Sequence, residues 1–137
     1  MFFRLSAPFL LLLALAGCAE LPYNNIDNAQ LKTMLEQGVP IYDVRRADEW
    51  RQTGVVAGSQ LLTFIGAEAR LSPDFFPSFT AAVSRDAPVI VICRTGSRTS
   101  RLAEYLVEQL GYTQVYNVRN GITQWIREGN AITQAQL

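Results

Sequence analysis

Hydrophobic and polar positions divide the chain into short alternating segments. Residues 89–92 read V-I-V-I, a continuous β-branched run of the kind that forms a strand buried on both faces. Residues 97–110 set Leu102, Tyr105, Leu106 and Leu110 on one helical face and Arg101, Glu104 and Glu108 on another, with Gly111 as the stop. Residues 28–37 carry Leu31, Met34 and Leu35 at helical spacing before Gly38. Residues 40–44 (P-I-Y-D-V) predict a short buried strand, and 47–53 one or two helical turns carrying Trp50 and ended by Gly54. A second strand is expected over 59–64. Helical segments follow near Ala67 and over 73–84, the latter interrupted by Pro77. Residues 114–118 predict a strand, and 122–128 a final helix with Ile122, Trp125 and Ile126 turned inward. Strands alternating with helices predict an α/β fold, a central parallel sheet flanked by helices on both faces, with its site at the carboxyl edge of the sheet.

The first residues follow a different rule. One positive charge, Arg4, precedes an apolar run over 9–16 that is too short to span a bilayer comfortably. Leu15-Ala16-Gly17-Cys18 resembles the bacterial lipobox, which implies that Cys18 is acylated and becomes the first mature residue. Several acyl chains on one residue anchor it stably. The expected organisation is a lipoprotein signal over 1–18, a polar tether over 19–27 containing Pro22 and two asparagines, and one domain over 28–133. Attachment to the cell envelope, facing the periplasm, follows from the same resemblance. Ala19 after the lipidated cysteine points to the outer membrane in a Gram-negative host.

Composition narrows the chemistry. The 137 residues carry no formal net charge and no basic cluster beyond the region of Cys93, which excludes a nucleic-acid footprint. There is no histidine, so Cys-His pairs, Ser-His-Asp triads and imidazole metal sites are excluded. Of the two cysteines, Cys18 is assigned to lipid, leaving Cys93 without an intramolecular disulfide partner. A lone cysteine in an oxidising compartment is either buried and inert or exposed and functional, and its surroundings point to the second. A Cys-x-x-Cys redox role is excluded for want of a second thiol.

Cys93 ends the apolar run and is followed by Arg94-Thr95-Gly96-Ser97-Arg98, where the next helix begins. Outward-pointing N–H groups, the positive end of the helix dipole and two arginines all favour thiolate over thiol, and the thiolate is the nucleophile. Gly96 permits a backbone conformation that a side chain would penalise.

Taken with Tyr42-Asp43-Val44-Arg45, Glu49-Trp50, the 54–59 segment G-V-V-A-G-S, Leu110-Gly111-Tyr112, and Asn117-Val118-Arg119-Asn120-Gly121-Ile122 with Trp125, this loop resembles the single-domain rhodanese family of sulfurtransferases over about residues 28–132. Val55, Ser59 and Asn120 depart from the family pattern at positions that look architectural. The resemblance implies that Cys93 takes a sulfane sulfur from thiosulfate or a similar small anion as a persulfide. A thiol, or cyanide in an assay, then accepts it, with no cofactor and no metal. Arg94, Thr95, Gly96, Ser97 and Arg98 would bind the donor; Asp43, Arg45, Thr99 and Arg101 are accessory candidates, Asp43 being rather a turn or Arg45-pairing residue than an acid. A cysteine phosphatase is disfavoured because four residues, not five, separate Cys93 from Arg98, and Ile92 precedes the cysteine. The remaining alternative is a lipid-anchored module that carries a persulfide or binds an anion without turnover.

Overall fold

A computed structural model describes residues 17–137. The elements run β1 (Asn24–Ile26), α1 (Asn28–Glu36), β2 (Ile41–Asp43), α2 (Ala47–Thr53), β3 (Gln60–Leu61), a 3-10 turn (Ala67–Ala69), α3 (Phe75–Ala82), β4 (Val89–Ile92), α4 (Ser97–Glu108), β5 (Val115–Val118) and α5 (Gly121–Arg127). The strands form one sheet in the order β1-β5-β4-β2-β3, with every pairing parallel. The lipobox reading falls mainly on residues outside those described; Cys18 itself is exposed.

The central strand explains the layering. In β4, Val89 and Val91 face a cluster with Phe75 and Phe79 of α3 and with Leu102, Ala103 and Leu106 of α4. The alternate residues Ile90 and Ile92 face Leu31 of α1 and Ile122 and Trp125 of α5. Side chains of a strand alternate between faces, so a strand covered on both sides is apolar throughout. Cys93 continues the α3–α4 side of this alternation.

Four expectations change. The tether of residues 19–27 contains β1, whose Asn25 and Ile26 pair with Asn117 and Val118 of β5. Two asparagines give little strand signal, yet the open backbone edge of β5 is closed by pairing with any extended segment. The strand expected over 59–64 shrinks to two residues at the sheet edge. Pro77 does not interrupt α3, since it is the third residue of the helix, where a backbone N–H has no helical acceptor in any case. Tyr105 and Ile126, placed inward by periodicity, are exposed at 43% and 40%. The Tyr105 ring packs at a tilt against Phe76, with centroids 5.0 Å apart. Trp125 is buried as expected, and Trp50 is buried as well. Val55 is buried and exchanges two backbone hydrogen bonds with Thr133, so this departure from the family pattern sits in a packing position.

Candidate functional site

The β4–α4 turn is built around a sulfur atom. Cys93 directly follows β4, Gly96 turns the chain at φ 94°, and α4 begins at Ser97. The turn folds the Gly96 N–H back onto Cys93 Sγ at 3.2 Å. From the first turn of α4, Thr99 brings Oγ1 to 3.3 Å from the same sulfur while also lying within 3.3 Å of the Gly96 carbonyl. The N–H groups of Thr95, Ser97 and Arg98 make no backbone hydrogen bond, so this loop keeps donors in reserve for a ligand.

A neighbouring loop fixes the turn from behind. The N–H groups of Ile122 and Thr123 donate to the carbonyls of Cys93 and Arg94 at 2.9 and 3.1 Å. Two glycines make the approach close enough. A Cβ on Gly96 would overlap the Arg119 carbonyl, and one on Gly121 would overlap the Arg94 carbonyl and meet the Thr95 nitrogen at 2.6 Å. The two loops are thus interlocked, each through a glycine of positive φ facing the other's backbone.

The arginines divide by environment. Arg94 is exposed and lies on a cleft of about 520 Å³ shared with Arg46, Glu49 and the 65–69 segment. Arg98 also lines this cleft, but it is not the free cation expected from the sequence. Its Nη1 and Nη2 donate to both oxygens of Glu49 at 2.8 and 2.7 Å. The cause is α2. Asp48 and Glu49 occupy its first turn, and Glu49 Oε2 accepts the Arg46 N–H at 3.0 Å, which aims the carboxylate across at α4. Burial pushes the Glu49 carboxyl up, but the Arg98 hydrogen bonds, the Arg46 N–H and both guanidinium charges outweigh it and hold it at about 2. The same hydrogen bond raises Arg98, against the effect of burial.

Cys93 is wholly buried rather than exposed: it belongs to the core cluster on the α3–α4 side, and the Gly96 N–H and Thr99 Oγ1 both lie against its sulfur. Thr99 reaches the sulfur; Thr95 and Ser97 are exposed on the turn. Arg101 is exposed one turn along α4 and borders a second hollow of about 450 Å³ with Phe64, Ile65 and Arg98. Asp43 and Arg45 form a fully buried ion pair at 2.8 Å. Trp50 Nε1 donates to Asp43, and Arg45 donates to Thr53 Oγ1 and to the Gly54 carbonyl, so the pair ties β2 to α2 and takes no part in the cleft. Glu49 was missing from the sequence-derived site. Its sequence signals are acidity in a helix's first turn and its place in the Glu49-Trp50 motif; neither names its partner, which lies 49 residues away.

The rhodanese-like domain pattern matches residues 27–128, which includes every strand of the sheet except β1. The chain belongs to the rhodanese-like domain family. A protein named sulfurtransferase from Allochromatium vinosum is 30% identical over 108 residues, covering 77% of this chain and 91% of that one. The thiosulfate sulfurtransferase GlpE of Pseudomonas fluorescens is 27% identical over 75% of this chain and 84% of its own length. Among solved structures, a rhodanese-related protein from Thermoplasma volcanium superposes with a TM-score of 0.63 at 27% identity, covering 82% of this chain and all of the other. The parallel sheet with helices on both faces is therefore the rhodanese-like fold, and the relatives place the chain among sulfurtransferase homologues.

Proposed function

We propose that this rhodanese-like chain is a sulfurtransferase that carries a sulfane sulfur on Cys93, taken from thiosulfate or a similar donor. The observation that carries the reading is the sulfur-centred turn: a cysteine receiving the Gly96 N–H and the Thr99 hydroxyl contact at the start of α4, beside loop N–H groups without backbone partners. Donors directed at a sulfur anion stabilise it both as nucleophile and as persulfide.

The Cys93 thiolate attacks the outer sulfur of thiosulfate. The donor's S–S bond breaks, its electron pair leaves with sulfite, and the transferred atom remains as a Cys93 persulfide anion. A thiol or cyanide then attacks that outer sulfur and releases the Cys93 thiolate, which gives ping-pong kinetics. Arg94 offers its exposed guanidinium to the leaving sulfite at the cleft. The interlock with the Gly121 segment holds the Arg94–Gly96 turn in place around the sulfur.

Intact mass of the chain beginning at Ala19 tests the reading. Thiosulfate adds one sulfur atom, cyanide removes it, and Cys93→Ser takes up none. A persulfide that forms but is never passed on assigns the chain as a carrier instead. No adduct on a demonstrably reduced Cys93 refutes sulfur loading from this donor.

The lipobox resemblance adds a location to this proposal: Cys18 acylated, with the domain held on the periplasmic side of the cell envelope. Radiolabelled palmitate incorporation, abolished by Cys18→Ser, is the expected result.

A further inference from the structure

The cleft bordered by Arg94 and Arg98, which flank the Cys93 turn, is balanced in charge. Arg46, Arg94 and Arg98 line it, and so do Asp48, Glu49 and Glu68. Asp48 and Glu68 pair with nearby arginines as exposed side chains, Asp48 with Arg46 at 3.0 Å and Glu68 with Arg70 at 3.2 Å. Glu49 behaves differently. Its side chain is 10% exposed, and both of its oxygens are taken by Arg98, itself 21% exposed. Arg98 in turn commits both terminal nitrogens to this one carboxylate and keeps its Nε edge for other acceptors. An incoming anion therefore meets a guanidinium whose orientation is fixed and whose charge is already answered.

We propose that Glu49 is the positioning and charge-selecting residue of the sulfur site: it fixes Arg98, cancels its charge, and so favours a sulfane donor with a single negative charge over a dianion. This rests on the sulfurtransferase reading and narrows its donor class. A thiosulfonate, RSO2S−, is such a donor. The Cys93 thiolate attacks its terminal sulfur, the S–S bond breaks, the electron pair leaves with the sulfinate RSO2−, and Cys93 keeps the sulfur as a persulfide anion. Charge is conserved, and thiosulfate follows the same course with one more negative charge in the cleft at every stage.

The experiment compares sodium methanethiosulfonate with thiosulfate on the full chain in detergent. In the wild type, kcat/KM favours methanethiosulfonate. Glu49→Gln keeps an oxygen for the Arg46 N–H and one bond to Arg98 while releasing a unit charge a few ångströms from the donor. It shifts the ratio towards thiosulfate by about tenfold, mainly through KM. The gain fades with added salt. A purely structural role for Glu49 would slow both donors by one factor and leave the ratio and its salt dependence unchanged, which overturns the proposal. Should Glu49→Gln fail to fold, Glu49→Gln with Arg98→Gln removes both charges together, a change that buried pairs tolerate better than loss of one partner. That double variant returns the ratio to within about twofold of the wild type if the pair contributes no net charge; a large further shift away from thiosulfate would show that Arg98 acts as a free cation and overturns the proposal. A chain that gains no sulfur from either donor sinks the sulfurtransferase reading. The charge contrast is then read without turnover, as the melting shifts that the two anions produce on Cys93→Ser with and without Glu49→Gln; equal changes for both anions refute it.

Discussion

Replacing Gly96 by alanine tests whether the Cys93 turn depends on its interlock with the β5–α5 loop. Gly96 has φ 94°, and Gly58 has φ 83°, so an alanine at either position is forced into left-handed backbone that costs about 1–2 kcal/mol. Their surroundings separate them. A Cβ at Gly58 meets nothing within 4 Å, whereas one at Gly96 overlaps the Arg119 carbonyl, with the carbonyl carbon 2.8 Å away. The obstacle is backbone, which has no rotamer to change. Relief requires moving the segment that carries Gly121 and the N–H groups serving Cys93 and Arg94. Overpacking of that kind adds about 1–3 kcal/mol. Gly58→Ala is thus expected to lower stability by about 1 kcal/mol and Gly96→Ala by about 3–4 kcal/mol. For a domain of this size these correspond to roughly 4 °C and 12–16 °C in Tm. Thermal unfolding followed by circular dichroism, with urea titration for the free energy, measures both. Equal losses in the two variants, within about 2 °C, would refute the interlock as a source of stability.

Two further outcomes follow from the buried charges. Glu49 is held at about 2 against an ordinary 4.5. Its contribution is therefore complete above about pH 4.5 and is lost as pH falls towards 2. The full shift corresponds to about 3 kcal/mol, which water at the edge of the pair reduces to roughly 1–2 kcal/mol. Unfolding free energies from urea titration should drop further between about pH 6 and about pH 3 in the wild type than in Glu49→Gln, by roughly half of that amount because pH 3 still lies above the folded value, and parallel curves would contradict it. Arg45→Met leaves Asp43 buried without its cation and is expected to cost about 3–5 kcal/mol, with Asp43→Asn in the same chain recovering part of the loss. Strict additivity of the two substitutions in chemical denaturation would show that the pair does not act as a unit.

The elements legible in the sequence are those whose burial is two-sided or whose ends are marked. β4 announces itself because all four residues are apolar, and α2 is bounded by Gly54, whose added Cβ would strike Ile132. β1 left no such mark, since its asparagines pair through backbone and only Ile26 is buried. Periodicity placed Tyr105 and Ile126 inward because it measures angle around a helix and not the distance to the next layer. At the site, Cys93, its turn and the closeness of Thr99 could be read from a short local motif. The Arg98–Glu49 pair could not. It joins residues from two helices brought together by the β2–β4 pairing, and local spacing carries no trace of it. The burial of Cys93 was hidden for a related reason: the turn after it folds back onto the sulfur and is held from the far side by the first N–H groups of α5.

An all-parallel sheet gives the molecule a front and a back. β1 starts level with Tyr116 of β5, which in turn lies level with Ile90 of β4, so the chain enters the sheet three residues short of Cys93, about 10 Å behind it along the strand. Six peptide units separate Cys18 from Asn24, a leash of at most about 20 Å. An attachment at Cys18 would therefore enter the sheet from the end opposite the β4–α4 turn, on a leash about twice as long as that offset.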